Sequence, residues 1–194
     1  MRRDDSLGAR ELDDLMALFD GAVREEIHLD VDEELYALRA LKSSDRRGEV
    51  VFAVRRPGGG TLLHRKSFYG EGVFRLPTGG IHRREKVIEA LYRELAEETG
   101  LVASEAHFLG VQECHLHYAG HSVRFASYAF HIHDTRGDLQ PDPDEDIVEF
   151  REVSPDELLA VAENLRQTPP PHSGWGRWRA LAHDFVYKHL LSER

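Results

Sequence analysis

Apolar residues recur at helical spacing near the start of the chain. Leu12, Leu15, Met16 and Phe19, with acidic residues between them, predict an amphipathic helix that Gly21 ends. Residues 22–29 read as a strand, and 32–41 as a second helix with Leu35, Leu38 and Leu41 on its apolar face. The polar stretch 42–48 is a candidate domain boundary. The pattern then turns strand-like. Residues 49–55 carry Val50, Val51, Phe52 and Val54, Pro57 opens a glycine turn, and 61–65 return as the hairpin partner. A strand is expected at 72–76 and a helix at 85–98, closed by Gly100. Strands 109–118 and 121–133 flank Ala119 and Gly120, and 147–153 completes the set, after a polar, Pro-containing loop at 134–146. Ser154 caps a short helix opened by Pro155. A Pro-rich linker, 168–174, leads to a last helix at 175–191, whose Trp175, Trp178, Leu181 and Phe185 stripe is expected to dock on the core.

With 194 residues, the chain suits one domain with extensions: residues 1–47 as an N-terminal helical extension, and 48–194 as the main domain with its C-terminal helix. Its hydrophobic share of 41% supports a packed core. The formal net charge of -10 argues against a nucleic-acid partner, which would need a basic footprint. It does not exclude a phosphate-bearing small molecule, because metal ions can sit between carboxylates and phosphates. Cys114 is the only cysteine, so neither an intrachain disulfide nor a thiolate zinc cluster is available. No apolar run approaches a membrane span or a signal peptide, so no membrane partner is expected and the default location is the cytoplasm.

The chemistry concentrates between Gly79 and Leu101. Glu94, Glu97 and Glu98 are spaced i, i+3 and i+4, which puts them on one helix face. Carboxylates that close repel one another, and a hard divalent cation such as Mg²⁺ relieves the repulsion. Arg93 and Glu85 fit the same plan, since a guanidinium can orient and partly balance the acids. Gly79 and Gly80 allow a tight bend and a close backbone approach to an ion or phosphate. Glu98→Gln, which deletes one charge from a self-repelling cluster, is expected to leave metal-free stability unchanged or slightly higher.

These residues resemble the Nudix box: Gly, five residues, Glu, seven residues, Arg-Glu, an aliphatic residue, any residue, Glu-Glu, any residue, Gly and an aliphatic residue. The matching positions are Gly79, Glu85, Arg93, Glu94, Leu95, Glu97, Glu98, Gly100 and Leu101. A chance match at one start is on the order of one in 10⁹ at average residue frequencies. The resemblance to Nudix hydrolases implies an α/β fold, an α/β/α sandwich with a mixed sheet. It also implies metal-dependent hydrolysis of a phosphoanhydride bond in a nucleoside diphosphate linked to another moiety. Carried over residue by residue, Gly79, Glu94, Glu97 and Glu98 would hold Mg²⁺ or Mn²⁺, with Glu94, Arg93 and Glu98 as the catalytic set. The base is either Glu94 or an acid outside the box, with Glu113, Asp144, Glu145, Asp146 and Glu149 as candidates.

Arg55, Arg56, Arg65, Lys66, Arg75, Arg83 and Arg84 surround the cleft in sequence, and Arg55 and Arg75 are candidate substrate ligands. Tyr118 is a third, because dinucleoside polyphosphate hydrolases of the family often have a tyrosine about this far beyond the box. The ADP-ribose subclass often has a proline near the positions of His115 and Leu116, which counts against that reading. Isopentenyl diphosphate isomerases share the fold but use a cysteine ahead of the box, whereas Cys114 follows it. A ligand-sensing module without turnover is the competing class, and a homodimer through residues 1–47 is the candidate assembly. His115, His117, His121, His131 and His133 alternate on strands, yet exposed strand histidines are common and the acidic set already accounts for a metal.

Overall fold

The computed structural model describes residues 6–42 and 45–192. Helix α1 (Ser6–Leu18) leads into strand β1 (Val23–Asp30) and helix α2 (Glu33–Lys42). Strands β2 (Arg46–Val54), β3 (Thr61–Lys66) and β4 (Thr78–His82) precede helix α3 (Val87–Thr99). Strands β5 (Ala106–Tyr118), β6 (His121–Ile132) and β7 (Ile147–Val153) follow, then helices α4 (Leu158–Arg166) and α5 (Ser173–Ser192). The main sheet has the order β1-β5-β6-β2-β4, and β3 pairs with β7 in a second, two-stranded sheet. The main sheet is mixed: β1–β5 and β2–β6 are parallel, β5–β6 and β2–β4 antiparallel.

Alternation along β2 explains the layering. Val50, Phe52 and Val54 join α1 and α3 through Leu12, Leu15, Leu91 and Leu95 on one face. Val51 and Ala53 meet Ala182, Phe185 and Val186 of α5 on the other. A central strand buried on both faces between helices is the α/β sandwich expected from the sequence. Trp178 and Phe185 of the predicted stripe are buried, while Trp175 and Leu181 are partly so. Leu12 and Leu15 are also buried, so the apolar face of α1 is consumed within its own chain. Residues 1–47 are more than a helical appendage, because β1 is an edge strand of the main sheet, in register with β5 from Val23↔Gly110 to Asp30↔His117. Leu41, expected on the α2 face, is a position whose side chain lies outside those described. No described helix is long and apolar enough to cross a membrane.

Two boundaries differ from the sequence reading around Gly79. The strand expected at 72–76 is reduced to an isolated bridge between His64 and Arg75, and the strand forms one step later, as β4. Gly79 and Gly80 therefore extend rather than bend, pairing with Val50 and Glu49. Their missing side chains make room for others: a Cβ on Gly79 would lie 1.7 Å from the carboxyl carbon of Glu94. The helix starts at Val87 rather than at 85, because Glu85 folds back to accept the His82 N–H at 3.0 Å.

Candidate active site

Three elements hold α3 against the sheet. The Val87 N–H, unpaired within the helix, donates to Glu11 Oε1 of α1 at 2.7 Å. Arg47 of β2 donates to the Glu85 carbonyl at 2.7 Å and also pairs with Glu11. At the far end Gly100 takes the left-handed conformation (φ 75°), and its N–H reaches the Ala96 carbonyl at 2.8 Å. Apolar burial of Val87, Ala90, Leu91 and Leu95 fixes the rotation of the helix, which turns Arg93, Glu94, Glu97 and Glu98 toward β4 and the loop before β7.

Arg93 organises the acids. Its Nε and Nη2 meet Glu85 Oε1 and Oε2 at 2.7 and 2.9 Å. Nη1 donates to both Glu94 Oε1 and Glu97 Oε2 at 2.8 Å, and Nη2 also reaches the Gly80 carbonyl at 2.9 Å. The hydrogen bonds from Arg93 hold the Glu85 carboxyl below the usual carboxylate range. Burial raises the Glu94 carboxyl above that range, against the pull of Arg93.

Carboxylate oxygens of Glu94, Glu97 and Glu145 lie within 4.8 Å of one another. Glu145 comes from a short 3-10 turn, Pro143–Glu145, after Asp142 caps the Asp144 N–H at 2.9 Å. Of the five acids considered outside the box, Glu145 is the one in this set. Glu113 is paired with Arg24 on β5, and Glu149 with Arg65 at 3.0 Å. Nothing local in the sequence distinguishes Glu145 from its neighbours; the pairing of β3 with β7 brings the preceding turn over α3.

Glu98 takes a different position. It is 1% exposed and accepts the Thr78 N–H at 2.9 Å, with Lys66 Nζ at 3.0 Å, Arg75 Nη2 at 3.9 Å and His64 Nδ1 at 3.9 Å around it. Burial raises its carboxyl above the usual range, and Arg75 and Lys66 work against that rise. Burial also pushes His64 well below the usual imidazole range, so its ring is neutral. Lys66 spans Glu98 and Glu145, which it meets at 2.8 Å. Burial alone would lower its pKa, and these two carboxylates raise it. The expectation that Glu98→Gln spares metal-free stability is therefore corrected. The variant would leave buried cations facing a neutral amide, and breaking a buried ion pair from one side costs roughly 3–5 kcal/mol.

Of the three residues assigned to substrate, Arg75 lies buried beside Glu98, while Arg55 and Tyr118 stand farther along their strands. Arg75 is 4% exposed, and its donors go to the Tyr69 hydroxyl (2.6 Å), the Leu76 carbonyl (2.7 Å) and Thr78 Oγ1 (2.8 Å). Its remaining nitrogen, Nη2, lies 3.9 Å from Glu98 Oε1. Arg55 is exposed past the end of β2, five residues from the Val50 that pairs with Gly79, a distance of roughly 17 Å along the strand. Tyr118 ends β5 against Tyr36 of α2, ring centroids 5.8 Å apart. The ladder Gly79↔Val50↔Tyr128↔Val111 leaves it seven residues, roughly 23 Å, along the strand from the level of the box. Spacing along the chain could not reveal which strand end faces the helix.

The hard oxygen donors of Glu94, Glu97 and Glu145, with Arg93 paired to the first two and Lys66 to the third, suit a hard divalent cation such as Mg²⁺ or Mn²⁺. A MutT NUDIX hydrolase from Burkholderia pseudomallei superposes with a TM-score of 0.50 at 22% identity, covering 72% of this chain and 97% of that one. The structure of an ADP compounds hydrolase superposes at 0.53 with 19% identity over 75% and 74% of the two chains. These likenesses concern the fold. In sequence, the chain is 39% identical over 61 residues to an RNA pyrophosphohydrolase of Teredinibacter turnerae, 31% of this chain and 36% of that protein. The match thus spans about a third of that relative. The NUDIX domain profile matches residues 45–176, which include β4, the acid-bearing helix and Glu145, and the chain therefore belongs to the NUDIX family.

Proposed function

We propose that the protein is a divalent-metal-dependent hydrolase of the phosphoanhydride bond in a nucleoside diphosphate linked to another moiety. One observation carries the reading: Glu94, Glu97 and Glu145 converge beside Arg93 and against a glycine strand that leaves them room. Glu94, Glu97, Glu98 and the Gly79 carbonyl would hold Mg²⁺ or Mn²⁺, with Glu145 as a further carboxylate. Bound there, the ion would make water a stronger acid and offset negative charge on the phosphoryl oxygens.

The chain's own residues divide the remaining work. Arg93 fixes the acids in place before substrate arrives, so no reorganisation is needed at the moment of reaction. Glu94 is assigned to orient or deprotonate the attacking water, because it lies among the converging carboxylates and is held there by Arg93. Lys66, between Glu98 and Glu145, is the cation best placed to meet a phosphate. Arg55, Arg75 and Tyr118 are the other candidates for contact with substrate.

The net charge of -10 disfavours a long polyanion, so a small nucleotide is the preferred substrate over an RNA end. The test is a panel of ADP-linked compounds, dinucleoside polyphosphates and 5′-triphosphorylated RNA with Mg²⁺ or Mn²⁺, resolved by chromatography. Release of a nucleoside monophosphate from a small substrate supports the reading. Turnover of the RNA alone would replace it, and binding without turnover would identify a sensing module.

A further inference from the structure

A second cluster of metal-ligating side chains lies on the outer part of the main sheet, away from the carboxylates. Glu26 and His28 alternate on β1, and His115 and His117 on β5. The parallel register sets His28 directly opposite His115. His115 Nε2 is 3.0 Å from Glu26 Oε1, and His28 Nε2 is 3.6 Å from the same oxygen. The rings of His28 and His115 are stacked, centroids 4.6 Å apart and planes at 16°.

We infer that Glu26, His28 and His115 form a binding site for a zinc-class divalent cation, distinct from the Mg²⁺ or Mn²⁺ set on α3. Tetrahedral zinc with bonds of about 2.0–2.1 Å requires neighbouring ligand atoms about 3.3 Å apart. The two distances to Glu26 Oε1 bracket that value and all three ligand atoms lie within 4.8 Å of one another, so closure requires the stacked rings to turn their nitrogen lone pairs onto one point. Two imidazoles and one carboxylate select zinc and its late-transition neighbours over Mg²⁺, which prefers oxygen donors.

His117 supplies the element that a chance pairing of surface histidines would lack. Its Nε2 is 2.9 Å from His28 Nδ1. When His28 Nδ1–H donates to His117, the His28 Nε2 lone pair is left facing Glu26. A ligand imidazole whose other nitrogen donates to a hydrogen-bond partner is the arrangement that fixes tautomer and ring orientation at metal sites. The sequence pattern showed His115 and His117 but not their partners, because Glu26 and His28 reach them only through the β1–β5 pairing. The cation would tie edge strand β1 to β5 with three protein ligands, its fourth position open to water.

The test is calorimetric titration of untagged protein with zinc chloride alone, in a millimolar Mg²⁺ background, alongside thermal melts. The expected result is one Zn²⁺ per chain with Kd at or below about 1 μM, and a melting temperature raised by roughly 5 °C at saturating zinc. His28→Ala and His115→Ala should each weaken binding at least about tenfold and abolish the thermal shift. His117→Ala should weaken it by a similar factor through lost orientation. Glu97→Gln should leave zinc binding unchanged. Glu26→Gln, isosteric and exposed, covers the case in which an alanine variant fails to fold. Absence of binding at 100-fold higher zinc, unaltered affinity in His115→Ala or Glu26→Gln, or loss of binding in Glu97→Gln would each overturn the assignment.

Discussion

Arg93 and Glu85 are joined by a two-point contact, Nε to Oε1 at 2.7 Å and Nη2 to Oε2 at 2.9 Å. Because Glu85 is itself pinned by the His82 N–H, the guanidinium is clamped at one edge and offers the other to Glu94 and Glu97. Planarity is what lets one cation do both.

Arg93→Lys keeps the charge but cannot span the two edges. The variant is expected to lose at least one charge-assisted hydrogen bond, worth about 1.5–3 kcal/mol. Initial rates at saturating Mg²⁺ should fall by roughly tenfold to a hundredfold while the circular dichroism spectrum is unchanged. A wild-type rate in Arg93→Lys would remove the orienting role.

Gly79→Ala tests the other wall of the site. The added Cβ would meet the end of the Glu94 side chain at 1.7 Å. That carboxylate can swing aside at small cost in stability, but not without leaving the acid set. Rates should drop by about a hundredfold, an increase of about 2.7 kcal/mol in the barrier. Melting should change by no more than a few degrees. An active Gly79→Ala variant would mean that the position of Glu94 seen here is not the working one.

His183 links helix α5 to the segment just before β4. Its Nε2 accepts the Leu76 N–H at 3.0 Å, and its Nδ1 donates to the Arg179 carbonyl at 2.9 Å, so the neutral ring satisfies both partners. Burial lowers its pKa to about 3. The unfolded ring titrates near 6.5, so below that pH the unfolded state binds the extra proton and folding stability falls as pH drops from 6.5 toward 3. At pH 5 the loss from this group is about 2 kcal/mol. Urea midpoints across pH 5–7 should show this slope in the wild type and a shallower one in His183→Gln. Equal slopes would contradict the assignment.

Cys114 is 1% exposed, and burial pushes its thiol up to about 12. A thiol reagent at pH 8 should modify it only as fast as the protein opens, and at once in denaturant. Stoichiometric labelling of native protein within seconds would show that the packing of β5 against Trp178 is looser than the structure implies.

The box helix, its Gly100 stop and the alternation of β2 were legible because each is a local pattern with one physical solution. The extended path of Gly79 and Gly80 was not, since glycine is silent about whether it bends or makes room. Glu145 stood among five equivalent acids until β3 paired with β7. Arg75 looked like a phosphate ligand because charge along a sequence carries no burial, and only the fold shows it under Glu98. Glu26 and His28 were invisible for the same reason as Glu145: their partners are on a strand nearly ninety residues away.

Glu97→Gln gives the most direct test of the proposed metal-dependent hydrolysis. Glu97 is 38% exposed on its side chain and pairs with Arg93, so its loss avoids the buried-cation penalty of Glu98→Gln. Initial rate and melting temperature should be measured together on a substrate that the wild type turns over, with chelator and with added Mg²⁺. The account predicts that wild-type turnover vanishes on chelation and returns with the cation. Glu97→Gln should melt within a few degrees of wild type without metal, lose the metal-induced stabilisation and turn over at least about a hundredfold more slowly. Wild-type turnover undiminished by exhaustive chelation, or a Glu97→Gln variant as fast as wild type, would contradict it.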